Sequence, residues 1–268
     1  MDFSETRRVE TGSNSGAESG SESLYPNFNP NFNSSNPEYN SSSFAQIESG
    51  SHKFSFVSMI SFILGLVGGI CGTCAILLPH SAFVPVFLYL MFISVYHMLE
   101  YLSVATFKAS NLELDSFMFN PDGRYRFSLA LSFAIIEFLV ELFLFKASKS
   151  SKMFIILGQF IRTCAMYTAK SNFNHYIETH RDANHVLITH GIYSYERHPS
   201  YVGFFIWVLG LQTMLQNPVS LILFIAILGH FFVDRAQFEE YTLTRFFGQD
   251  YIRYKESVPT LIPFINST

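Results

Sequence analysis

From Phe54 onward the chain is organised into apolar runs of about twenty residues, roughly the length a helix needs to cross hydrocarbon. Six such runs stand out: Phe54–Leu78, Phe83–Phe107, Phe127–Phe145, Met153–Phe173, Tyr201–Leu215 and Val219–Val233. The fold expected is an all-α integral membrane protein of about six transmembrane helices. The last two runs are short and are joined only by Gln216-Asn217-Pro218, a connection that predicts a tight helical hairpin. Pro218 suits the start of the second helix, where its missing N–H has no partner to lose. The first run carries Gly65, Gly68, Gly69 and Gly72, enough to kink it or split it in two. Cys71 and Cys74 form a C-x-x-C beside these glycines, and small residues permitting close helix contact in lipid explain it better than redox chemistry.

Residues 1–50 are different, being rich in Ser, Asn, Glu and Gly with almost no large apolar side chains. Such a segment cannot bury enough surface to offset its ordering entropy, and it is expected to be a disordered cytosolic tail. The division is thus a tail over 1–50, four transmembrane helices over 51–173, and a catalytic region over 174–268 that includes the hairpin 201–233. Lys and Arg in the loops Lys108–Arg126 and Lys170–Ser200, and after Val233, orient those segments to the cytosol. The loop bearing Lys146, Lys149 and Lys152 breaks that pattern. The sequons at Asn33, Asn40 and Asn266 fall on segments assigned to the cytosol and are expected to stay unglycosylated. A net charge of −4 without clustering argues against a nucleic-acid partner.

Ionisable and aromatic residues gather in two blocks flanking the hairpin. The first runs from His185 to Gly203 and contains Tyr193 and Arg197-His198-Pro199-Ser200-Tyr201; the second contains Asp234-Arg235 and Glu239-Glu240, then Val258-Pro259-Thr260. A tight hairpin brings its outer ends together, so both blocks should meet at one membrane face. On a helix Arg235 and Glu239 share a side. An exposed pair of this kind is worth a few tenths of a kcal/mol, but this one directly follows an apolar run, where ionisable groups tend to be functional.

Taken in this order, Arg197-His198-Pro199-Ser200-Tyr201-x-Gly203, the hairpin, Asp234-Arg235-x3-Glu239-Glu240 and Val258-Pro259-Thr260 resemble the isoprenylcysteine carboxyl methyltransferases. The likeness is close from about His175 to Ile265, and the six-span layout is similar to the fungal members. It implies S-adenosylmethionine as methyl donor, the C-terminal prenylcysteine carboxylate of processed proteins as acceptor, and a cytosol-facing site in the endoplasmic reticulum membrane. By the same likeness, Glu178, His185, Val186, Leu187, Ile188, Tyr193, His198, Pro199, Ser200, Tyr201 and Glu239 are cofactor-binding positions. Arg235 is the catalytic and substrate-binding one, and no metal is implied. Some relatives carry Gln where this chain has Glu178.

The chemistry is coherent with these residue types. A C-terminal carboxyl is already ionised at neutral pH, so its methylation needs alignment and exclusion of water rather than a strong base. Arg235 can hold a carboxylate through parallel N–H donors, and Glu239 suits the donor's ammonium group. Three other readings compete. A sterol-type membrane reductase shares the R-H-P-x-Y stretch but needs cations for the NADPH 2′-phosphate, against which Glu239-Glu240 argues. A phospholipid methyltransferase has no use for an acceptor-binding arginine. A scaffold or channel without activity leaves both polar blocks unexplained.

Overall fold

The computed structural model describes residues 37–109, 112–119, 126–144 and 152–262. Seven α-helices lie in these stretches: α1 Pro37–Leu77, α2 Val84–Phe107, α3 Arg126–Leu144, α4 Met153–Ala169, α5 Pro199–Leu215, α6 Pro218–Phe247 and α7 Gln249–Ser257. Short 3-10 turns cover Leu114–Phe117, Lys170–Asn172 and Gly191–Ser194. No strand occurs among the described residues. Across its described residues each of the six apolar runs is mainly α-helical. Three of these, Phe54–Leu77 within α1, α2 and α6, are long and apolar enough to cross a membrane.

Two boundaries differ from the sequence reading, and the reasons are local. α1 begins at Pro37, inside the stretch assigned to a disordered tail. A proline at the first position of a helix forfeits no helical hydrogen bond, and extending an already nucleated helix avoids a second nucleation penalty. The glycines of the first run do not split it. α6 continues fourteen residues past the expected end at Val233, to Phe247. Nothing between Asp234 and Phe247 breaks a helix, and Gly248, with φ of +56°, makes the stop. The Asp234–Glu240 part of the second block therefore lies on α6 itself, while Val258-Pro259-Thr260 follows α7. Cys71 and Cys74 are free thiols. Sequons Asn33 and Asn266, and Lys146 and Lys149, fall outside the described residues.

The most intimate packing is between α4 and α5. A Cβ added at Gly158 would stand 2.7 Å from the carbonyl oxygen of Gly203, and one added at Gly203 would stand 2.6 Å from the Arg162 nitrogen. Gly210 faces the Ile155 nitrogen at 2.7 Å in the same sense. Backbones this close leave no room for a methyl group, which explains Gly203 two residues after Tyr201. Gly203→Ala is expected to push the helices apart and destabilise the fold by about 1–3 kcal/mol, read as a lowered thermal midpoint of the protein in lipid nanodiscs. Around this pair Trp207, Val208, Leu211 and Met214 of α5 pack with Tyr96 of α2, Ile155 of α4 and Phe232 of α6.

Gln216 adopts a left-handed conformation (φ 65°) and Asn217 caps the start of α6, so only two residues separate α5 from α6. The ring of Tyr201 stacks on Phe232, and Phe204 meets Phe232 edge-on. The start of α5 thus lies beside the later turns of α6.

Candidate active site

Pro199 opens α5 at its first position and leaves His198 just outside the helix, its ring directed at α6. His198 Nδ1 lies 3.5 Å from a Glu239 carboxylate oxygen and Nε2 lies 3.2 Å from Glu240 Oε1. Burial opposes a charged ring here, but hydrogen bonds to both carboxylates and their charge outweigh it, pushing His198 up to about 9. The ring is an imidazolium at neutral pH and is no base. Its plane lies within 1° of that of Tyr201, with centroids 5.5 Å apart.

Glu240 is turned away from the open space. It accepts from Arg197 Nε at 2.9 Å and lies 3.3 Å from Lys255 Nζ. Arg197 Nη1 donates in turn to the carbonyls of Lys255 and Val258. Glu196 accepts from the Thr260 hydroxyl and the Leu261 amide. The Val258-Pro259-Thr260 motif is in this way strapped to the start of α5, which explains its association with the R-H-P stretch. Glu239 keeps its carboxylate toward the open side and accepts from the Tyr201 hydroxyl at 2.5 Å.

Two cavities adjoin at this point. One is lined largely by polar and aromatic groups, including Asn172, His185, Val186, Leu187, Ile188, Tyr193, His198, Pro199, Ser200, Tyr201, Glu239 and Tyr251. The other, of about 680 Å³, is mostly apolar; it runs along α6 past Leu223, Phe224, Ile227 and Leu228 to Arg235, with Leu129 and Phe133 of α3 on its wall. Phe173, Asn174, Ser200 and Tyr201 line both. Arg235 belongs to the apolar cavity and Glu239 to the polar one. They form no direct ion pair: Arg235 Nε donates to the Tyr201 hydroxyl at 3.0 Å, and that hydroxyl donates to Glu239. The i,i+4 pair expected from the helix is thus bridged through a residue of α5.

Of the cofactor positions expected from sequence, all but Glu178 line the polar cavity. Glu178 lies apart from them. Its side chain is largely exposed, accepts from Asn174 Nδ2 at 2.5 Å and lies 4.0 Å from Lys108 Nζ, outside both cavities.

Residues 151–245, spanning α4 to most of α6, match the profile of the isoprenylcysteine carboxyl methyltransferase (ICMT) family. The protein-S-isoprenylcysteine O-methyltransferase of Saccharomyces cerevisiae is 41% identical over 222 residues, covering 78% of this chain and 91% of that protein. The chain belongs to the isoprenylcysteine carboxyl methyltransferase family. The human protein-S-isoprenylcysteine O-methyltransferase is 36% identical over 216 residues, 78% of this chain and 75% of that one. A solved structure of the eukaryotic intramembrane Ras methyltransferase ICMT superposes with a TM-score of 0.69 at 30% identity, covering 82% of this chain and 86% of that one.

Within this family member, sequence reasoning missed a buried ionic group beside the cavities. Glu100 of α2 is fully buried and accepts from Arg162 of α4 twice, at 2.5 and 2.8 Å. It also lies 2.7 Å from His175 Nε2. Arg162 Nη1 donates to the Ser200 hydroxyl at 2.7 Å, and its guanidinium lies over the rings of Tyr96 and Phe204. A carboxylate and a guanidinium in the middle of apolar runs were the available signal.

The raised pKa of His198 gives a pH expectation with a definite sign. The charged ring is favoured in the folded site, so its contribution is fully present below about 6.5, declines from there to about 9, and is gone above. Thermal stability should carry a falling component over that window that His198→Gln removes; an unchanged pH profile in the variant would contradict the assignment.

Proposed function

We propose that the chain transfers a methyl group from S-adenosylmethionine to the C-terminal carboxylate of prenylcysteine, forming the methyl ester, with the donor in the polar cavity and the prenyl chain in the apolar one. The observation that carries this reading is the junction of the two cavities at Tyr201, with Arg235 on one side and Glu239 on the other. A reaction joining a water-soluble donor to a lipid acceptor needs such a pair of spaces meeting at one point.

The residues present fit the donor. Glu239 offers a carboxylate for an ammonium group, Asn172 and Asn174 offer amides, and Tyr193 and the paired His198 and Tyr201 rings offer aromatic surface. The Tyr251 hydroxyl, on the wall of the same cavity, is buried without a partner. S-adenosylmethionine supplies an electrophilic methyl group on a sulfonium. The protein's part is placement: Arg235 orients the acceptor carboxylate through its free N–H groups and leaves an oxygen lone pair available. Buried Ser200 and the half-buried rings of Phe173 and Tyr201 limit water at the meeting point. No base is required, and His198, already protonated, offers none.

The apolar cavity explains why the site belongs in a membrane. Leu223, Ile227 and Phe231 of α6 and Leu129 and Phe133 of α3 line it and are exposed, so a prenyl chain can enter from lipid between these helices. Burying that chain gains about 0.8 kcal/mol per methylene-sized unit. On this reading α1 to α6 all span the bilayer of the endoplasmic reticulum, α5 and α6 as a hairpin, and the site opens to the cytosol. A reductase reading has less support, because Glu239 stands where a 2′-phosphate would need a cation and Arg197 is engaged by Glu240. The test is transfer of labelled methyl from S-adenosylmethionine to N-acetyl-S-farnesylcysteine by membranes containing the chain. Stabilisation by NADPH in place of methyl transfer would sink the proposal.

A further inference from the structure

We infer that His175 is a positioning residue for Arg235, holding through its own backbone the carbonyl that fixes the direction of the arginine fork. The inference rests on the function proposed above and assigns a role to a residue outside the motifs read from sequence.

Arg235 is anchored at two points. Its Nε donates to the Tyr201 hydroxyl, and its Nη2 donates to the main-chain carbonyl of His175. A guanidinium carries five N–H donors in one plane, so two anchors on separate elements set both its position and the orientation of that plane. The remaining N–H groups are left for a ligand in the apolar cavity, which Arg235 lines.

The Tyr201 anchor sits on a helix and needs no further support. The His175 anchor is different. It lies beyond the 3-10 turn Lys170–Asn172, in a stretch without helix or strand, so no backbone ladder determines where that carbonyl points. Its location has to come from side chains. The His175 ring is nearly buried and its Nε2 lies 2.7 Å from Glu100 Oε2, a carboxylate that two Arg162 hydrogen bonds already immobilise. Phe173 meets the ring edge-on at 5.3 Å between centroids. One residue therefore faces two ways: its side chain is tied to the α2–α4 ion pair, and its carbonyl to the arginine of α6. Through it the rigid centre of the protein sets the attitude of a group at the reaction point.

Misplacing a reacting group by about an ångström costs on the order of a hundredfold in rate, and that is the loss a freed carbonyl would cause. The test compares His175→Ala with His175→Gln in the full chain in nanodiscs. The Gln amide can reach Glu100 as Nε2 of the imidazole does; Ala cannot. For His175→Ala we expect kcat for N-acetyl-S-farnesylcysteine to fall roughly a hundredfold, with KM and S-adenosylhomocysteine affinity each within about twofold of wild type. His175→Gln should recover most of that loss. Retained S-adenosylhomocysteine binding shows that the variant is folded. A raised KM at unchanged kcat would put the ring on the prenyl chain instead and overturn the inference, as would a parallel loss of donor affinity or a Gln variant no better than Ala. If the wild-type chain methylates nothing, it is the proposed function that fails, a result distinct from any of these.

Discussion

Arg235→Ala is expected to leave S-adenosylhomocysteine binding within about twofold while lowering methyl transfer to N-acetyl-S-farnesylcysteine by two orders of magnitude or more. The expectation follows from which cavity each charged residue lines. Arg235 lines the apolar space and has no place on the wall of the polar one. Its loss removes the proposed carboxylate anchor and one partner of the Tyr201 hydroxyl, which keeps its hydrogen bond to Glu239 on the donor side. Glu239→Ala should do the reverse: it removes a carboxylate from the polar wall and a partner of His198, so donor affinity falls by roughly 10- to 100-fold, the worth of a charge-assisted hydrogen bond. Tyr201→Phe falls between the two, since its hydroxyl joins Arg235 to Glu239, and it should weaken both properties modestly. Titration calorimetry and labelled-methyl transfer on the same preparations separate these outcomes. Equal loss of donor affinity in the Arg235 and Glu239 variants would mean that the cavities are one functional space and that the division of roles is wrong.

What could be read from sequence divides along the range of the interactions concerned. Apolar runs report burial in lipid or core residue by residue, so the expected Phe83–Phe107 and the observed Val84–Phe107 nearly coincide. Pro199 and Pro218 mark helix starts through a local backbone constraint, and both do so here. The two-residue joint between α5 and α6 was legible for the same reason, and with it the approach of the two polar blocks. By contrast, the apolar run marks only the stretch to Val233 and not where α6 ends, because composition alone does not terminate a helix; Gly248 does. Glu178, placed with the donor by resemblance, has Asn174 and Lys108 as its neighbours and lines neither cavity. The polar wall also includes Asn172, which no local pattern marks. Least legible was Glu100. Its partners lie 62 and 75 positions away, and only the packing of α2 against α4 and the loop after α4 brings them together.

That buried group is where the second large effect is expected. Glu100→Ala should destabilise the protein by about 3–5 kcal/mol, because it leaves the Arg162 guanidinium buried without its counter-charge. Glu100 is 0% exposed, and Arg162 is surrounded by Tyr96, Phe204 and Ser200, none of which can neutralise it. The cost comes from the orphaned charge more than from the lost attraction, and this has a checkable consequence. Replacing both partners, as in Glu100→Leu with Arg162→Met, removes the orphan along with the pair, and such exchanges are often neutral. Thermal unfolding of the two single variants and the double variant in nanodiscs should therefore show strong coupling, with the double variant more stable than Glu100→Ala. Simple additivity would mean that the pair is not the isolated buried unit its distances describe. Turnover should not follow stability. In the double variant His175 still lacks the carboxylate that holds its ring, and the carbonyl that orients Arg235 stays unfixed, so a refolded protein that binds donor normally should remain slow.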